Sequence, residues 1–262
     1  METHSRPLHE RLGLIPEWWH PDDWLQFLTS YNKSFGPHAT DYERASRKFT
    51  YADTKGLLAL ASYYAGAEEA ARVYGKEFLQ EAEGFFFGDW RNIYLTEDKR
   101  TDPKWWMEHL DWIRIFEHVL VWAAVLGEWD YLKRVGGYPE PSIPACGYKE
   151  QERNLYLAIG ALLSGASAGE LSVRLDLAGA GRAKTCKLIV AALRACVSRD
   201  TSALNKTLLA YLKHYKKSEF PKQSMTKKVS IEGTFIVHWA EKEGIKVEVP
   251  SDFTDHIVRL PK

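Results

Sequence analysis

The chain has 262 residues, 45% of them apolar and 27% charged, with 35 basic residues balancing 35 acidic ones. That length carries one sizeable core or two small ones, and that composition excludes a disordered chain. Zero net charge excludes a whole-molecule field drawing the protein to nucleic acid or an anionic membrane, so any charged partner is met by a local patch.

The opening residues, METHSRPLHE, lack the apolar run of a signal peptide, and the longest apolar stretch, residues 119–126, is far short of the ~20 residues that span a bilayer. A cytoplasmic protein without a membrane partner is expected. Cys146, Cys186 and Cys196 are odd in number and lack C-x-x-C spacing. Reduced, mostly buried thiols are therefore expected, not a disulfide framework or a zinc knuckle.

Two aromatic motifs echo each other, WWHPDDW at residues 18–24 and WWMEHLDW at residues 105–112. After Pro21, the residues Trp24, Phe27, Leu28, Tyr31 and Phe35 recur at helical spacing and predict one buried stripe. Proline suits the first turn, and Asp22 and Asp23 favour its positive end. Thr50-x-x-Asp53 has the capping-box pattern and predicts a helix start before GLLALASYY; a further helix is expected over residues 67–87. The second motif repeats the logic of the first, with Asp102 as cap, Pro103 opening the helix and apolar periodicity over residues 105–126.

Residues 136–147, GGYPEPSIPACG, hold three prolines and three glycines, and are the candidate internal boundary or a long loop within one domain. Beyond them, helices are predicted over residues 150–163, 182–197, 202–217 and 229–243, with another starting at the capping pattern Ser167-x-x-Glu170. Ser198-Arg199-Asp200 is short enough to make its flanking helices an antiparallel hairpin. Residues 245–249, IKVEV, alternate before Pro250 and predict extended backbone or a small edge strand. The predicted fold is all-α: an irregular, tetratricopeptide-like stack of antiparallel helical hairpins, in a single domain over residues 1–262 without a clean 34-residue repeat.

Glu108-His109 and Glu117-His118 resemble metal-ligand pairs, but nine residues at ~100° each set the two histidines on opposite faces of one helix. H-E-x-x-H is absent, so no metal is expected. In GAGRAKT, residues 179–185, Ala178 and Ala183 stand where a phosphate-cradling loop needs glycine, so no nucleotide cofactor is expected either. No G-x-S-x-G elbow occurs, and a lone cysteine on an apolar helix face is a packing residue before it is a nucleophile. Glu108, Asp111, Arg114 and His118 form a polar arc on a strongly apolar helix and are the best enzyme-site candidate. With no nucleophile or phosphate loop beside them, interhelical ion pairing is the preferred reading.

Nucleic-acid binders interleave aromatics with lysine and arginine, whereas both tryptophan motifs are flanked by Asp and Glu. Helix-start packing is expected, and nucleic acid is not an expected partner. Glu77, Glu81, Glu83 and Asp89 form an acidic stretch with no lysine or arginine among residues 77–89, while residues 199–228 carry eight basic residues against two acidic ones. Solvated helix faces explain both; the alternative is electrostatic steering of a protein partner, with the four acids as the candidate partner-binding residues.

The hairpin KLIVAALRACVSRDTSALNKTLLAYLKHY, followed by GTFIVHWAEKEGIKVEVPSDFTDHIVRLP, resembles the bacterial polymorphic-toxin immunity proteins of the family numbered forty-nine. The likeness lies in His238-Trp239-Ala240, the turn at Gly244, the extended residues 247–250 and Leu260-Pro261, and is most specific over roughly the last eighty residues. It implies a non-catalytic cytoplasmic protein that binds and neutralises a cognate toxin, encoded next door. No binding residues carry over, because the shared positions are scaffold. The competing readings are a tetratricopeptide-like adaptor for another protein and an all-helical enzyme using the Glu108 to His118 arc.

Overall fold

The computed structural model describes residues 8–13, 21–31, 41–89, 97–98, 112–137, 149–219 and 227–261. In chain order its helices are α1 (Leu8–Arg11), α2 (Pro21–Tyr31), α3 (Asp41–Tyr64), α4 (Glu68–Phe87), α5 (Trp112–Leu126), α6 (Trp129–Gly136), α7 (Glu150–Ser164), α8 (Ala168–Ala180), α9 (Lys184–Val197), α10 (Thr201–Ser218) and α11 (Ile231–Lys242), followed by a 3₁₀ turn, Ser251–His256. No strand occurs among the described residues, so the fold is all-α. None of these helices is long and apolar enough to cross a membrane.

Helix α5 organises the packing. Its sequence, WIRIFEHVLVWAAVL, is apolar around most of its circumference, and such a helix needs cover on every side. Helices α3, α4, α6 and α11 provide it. Trp112, Ile113, Phe116, Leu120 and Trp122 are all buried as a result. Two glycines allow the close approach: a Cβ on Gly56 of α3 would lie 2.8 Å from His118 Cγ, and one on Gly75 of α4 would lie 2.7 Å from Trp122 Cε3.

Around α5 the helices pair as sequence neighbours, α3 with α4, α7 with α8 and α9 with α10. Short turns close these antiparallel hairpins, Gly66 and Gly165 taking positive φ of 77° after α3 and α7. Ser167 caps α8 by accepting from Glu170 N–H at 3.2 Å, as its pattern predicts. Asp200 caps α10 through Ala203 N–H at 2.9 Å.

The predicted helices over residues 67–87, 150–163, 182–197, 202–217 and 229–243 correspond to α4, α7, α9, α10 and α11 within one or two residues. The Thr50 start is corrected, since α3 runs unbroken from Asp41 and Thr50 lies inside it. Phe49, one residue earlier, packs edge-on against Phe85 with ring centroids 6.3 Å apart, so tertiary contact continues the helix where local capping chemistry would have begun it. Asp53 serves the core instead of a cap. Helices α1 and α6 are additions, too short to show periodicity.

Residues 245–249 are extended and unpaired into a sheet, held by Glu248 N–H donating to Asn205 Oδ1 at 2.9 Å, with Ile245 buried. In α2, Leu28 is buried, Trp24 half-buried and Leu25 exposed, while the side chains of Phe27 and Tyr31 lie outside the described residues, as do Phe35, Trp18, Trp19, Asp102, Pro103, Trp105, Trp106, Cys146 and most of residues 136–147. The helices flanking that last segment, α6 and α7, pack on each other. A Cβ on Gly136 would sit 2.6 Å from that of Leu163.

Candidate functional site

The polar arc is resolved by α3. Asp53 accepts from Arg114 Nε at 2.7 Å and lies 3.4 Å from His118 Nε2. Burial pushes the Asp53 carboxyl up, but the His118 hydrogen bond and charge, with Arg114 adding to them, outweigh it and hold the group below the usual carboxylate range. Arg114 therefore serves an interhelical ion pair with Asp53, and His118 contacts the same carboxylate; Glu108, His109 and Asp111 lie outside the described residues.

One position away, Glu117 lines a cavity of about 160 Å³ on which four further elements converge. That is roughly ten times the ~10–15 Å³ a single water needs on the same measure. Helix α5 supplies Glu117 as its floor. Helix α7 contributes Glu152 from its first turn and Tyr156 one turn further. The start of α9 brings Thr185 and Cys186, and α10 sets Tyr211 and Tyr215 on one face at i, i+4 spacing. Helix α11 begins at the cavity, with Ser230 capping it through Gly233 N–H at 3.1 Å and Glu232 in its first turn. Glu219 and Lys227, 4.0 Å apart, stand at the half-exposed mouth.

A chain of hydrogen bonds joins the floor to the wall. The Tyr156 hydroxyl is 2.5 Å from Glu117 Oε1 and 2.9 Å from Glu232 Oε1. Tyr211 donates to Glu232 Oε2 at 3.0 Å and meets Ser230 Oγ at 2.7 Å. One phenol carries one proton, so both Tyr156 contacts are hydrogen bonds together only when one of the two carboxyls brings a second. Burial raises the Glu117 carboxyl to about 7, Glu232 adding to the effect and Lys227 opposing it, so near neutrality that second proton is half-occupied.

The other reactive groups are held in quiet forms. Burial, reinforced by Glu152 and Glu232, pushes the Cys186 thiol up to about 12, so it is no thiolate nucleophile at neutral pH. Burial likewise raises the Tyr211 phenol, so it stays protonated. Burial works against the Lys227 charge, but the carboxylates of Glu117, Glu232, Glu219 and Glu152 outweigh it, and the ammonium persists. Four carboxyl groups thus face one lysine. Among the described residues, no three carboxylate, imidazole or thiol groups converge closely enough to hold a metal ion.

The four acids predicted to meet a partner lie elsewhere, on and just beyond α4. Glu77 is bound to Lys55 and Glu83 to Arg134, so half of that stretch is already neutralised within the chain. Glu81 is half-buried and Asp89 exposed. The cavity was not visible in the sequence, because Tyr156, Tyr211 and Glu232 lie on three separate helices with nothing in their local segments to join them. The available signal was Glu117, the only carboxylate in the apolar helix α5. Compared with family models, curated proteins and solved structures, the chain matches none.

Proposed function

We propose that the protein is a stoichiometric inhibitor of the immunity type, binding and neutralising a cognate bacterial toxin in the cytoplasm, with the acid-lined cavity receiving a basic element of that toxin. The observation that carries this reading is the cavity's charge, four carboxyl groups against Lys227, combined with the Tyr211 phenol, the Cys186 thiol and the Lys227 ammonium, each held in its unreactive protonation state. Such an array suits recognition of a cation better than bond-making. The resemblance over the C-terminal hairpin supplies the class of protein.

The test is co-expression with the toxin encoded beside this gene. Growth should be restored, with a one-to-one complex recovered by size exclusion. Neutralisation by far less than one equivalent would overturn the reading in favour of an enzyme, and Glu117 beside Tyr156, a group poised to move a proton, would be its centre instead of the Glu108 to His118 arc.

A further inference from the structure

We infer that the cavity between α5, α7, α9, α10 and α11 is a guanidinium site, which takes the side chain of a single arginine presented by the protein partner. The inference deepens the inhibitor reading and rests on it for the identity of the partner. The chemistry of the ligand follows from the walls.

A cation is favoured first, because the lining carboxyl groups outnumber its single lysine four to one. A bare metal ion fits poorly. The acids come from four separate elements and, among the described residues, nowhere gather as a ligand set. A cavity of about 160 Å³ with carboxylates spread around it instead suits an extended cation carrying several donors in fixed directions. Guanidinium has five such donors in a plane, is weakly hydrated and therefore tolerates burial, and lies flat against aromatic rings. Tyr156, Tyr211 and Tyr215 line the cavity with phenol rings from two helices.

The acceptors are also preorganised. Glu232 receives hydrogen bonds on both oxygens, from Tyr156 and Tyr211, and α11 is fixed at that end by its Ser230 cap. A carboxylate held in place loses little freedom when a guanidinium docks on it, so charge-assisted hydrogen bonds are made at low entropic cost. Lys227 occupies the mouth as an internal counter-ion within reach of the same carboxylates. An entering arginine competes with it.

The test uses the purified full chain and two probes of equal charge and similar length, n-propylguanidinium and n-butylammonium, titrated by calorimetry at neutral pH. Propylguanidinium should bind with one-to-one stoichiometry and outbind butylammonium several-fold. Glu232→Gln, which removes one charged acceptor, should weaken it by about tenfold or more. Lys227→Met should strengthen it, an effect opposite in sign to anything a damaged fold produces. Equal affinity for the two probes, or propylguanidinium binding that neither substitution changes, would overturn the site. A chain that rescues growth yet ignores propylguanidinium overturns the arginine site and leaves the inhibitor reading standing. One that binds the probe through Glu232 but forms no complex with the neighbouring toxin keeps the site and sinks that reading.

Discussion

Replacing Glu117 by glutamine should make the protein more stable at alkaline pH while leaving it nearly unchanged in acid. The carboxyl is buried on α5 and raised from 4.5 to about 7 by its burial. Between those two values the folded state holds a proton that the unfolded state has released, so wild-type stability falls as pH rises through this window and levels off above about 7. A displacement of that size corresponds to about 3 kcal/mol. Glutamine cannot ionise, keeps the shape of the side chain and can donate to the Tyr156 oxygen, so its stability should lack this decline. Other groups titrate nearby with the opposite sign. Burial holds His238 and His256 below the usual imidazole value, and each contributes stability that is lost as pH falls. The difference between wild type and Glu117→Gln cancels those contributions, and urea denaturation followed by far-ultraviolet circular dichroism across about pH 5 to 8 measures it directly. The variant should gain on the order of 3 kcal/mol at the alkaline end. A constant difference across the series, or a variant less stable than wild type at pH 8, would refute the account of Glu117 as a buried acid.

Gly75→Ala should destabilise by about 1–3 kcal/mol in chemical denaturation, since its methyl would stand 2.7 Å from Trp122 Cε3 in a core with no room to give. Ser167→Ala should cost about 1 kcal/mol by removing the cap of α8, with a smaller loss for Ser167→Asp, which restores an acceptor. Reversing Glu77, Glu81 and Glu83 to lysine should slow association with the proposed toxin partner and flatten its salt dependence while sparing the off-rate; Glu232→Gln should instead raise the off-rate and spare association, and stopped-flow kinetics over a salt series separates the two.

The architecture was legible wherever it depended on local pattern. Ser167-x-x-Glu170 marks a true helix start because the serine cap satisfies orphan N–H groups within four residues. Thr50-x-x-Asp53 has the same form and fails, because Asp53 is claimed by Arg114 and His118, sixty-odd positions away, and because Phe49 finds Phe85. A pattern local in sequence cannot register a competitor that only folding brings close. The cavity lay beyond reach for the same reason: Glu117, Tyr156, Tyr211 and Glu232 come from four helices, and each has an ordinary role in its own segment. The acidic stretch at Glu77 to Asp89 was conspicuous because its charges are contiguous, although Lys55 and Arg134 answer two of them.

A buried glutamic acid that lowers stability at neutral pH also couples binding to protons, and this coupling is open to measurement. A guanidinium drawn to the cavity prefers the charged form of Glu117, so binding must lower that carboxyl from about 7 and expel the proton it shares with Tyr156. Lys227 and the acids Glu152, Glu219 and Glu232 also face the cavity. Lys227 remains charged across the neutral range, since those carboxylates raise it against the effect of burial. The release is therefore assigned to Glu117. Affinity for propylguanidinium should accordingly fall by up to about tenfold per pH unit below 7 and be nearly flat above it. At pH 7, calorimetry in buffers of different ionisation enthalpy should report release of about half a proton per ligand bound. In Glu117→Gln the release should vanish and the affinity become independent of pH, even if some binding persists through Glu232. Proton release that survives the substitution would place the titrating group elsewhere and break the link between the buried acid and the cation.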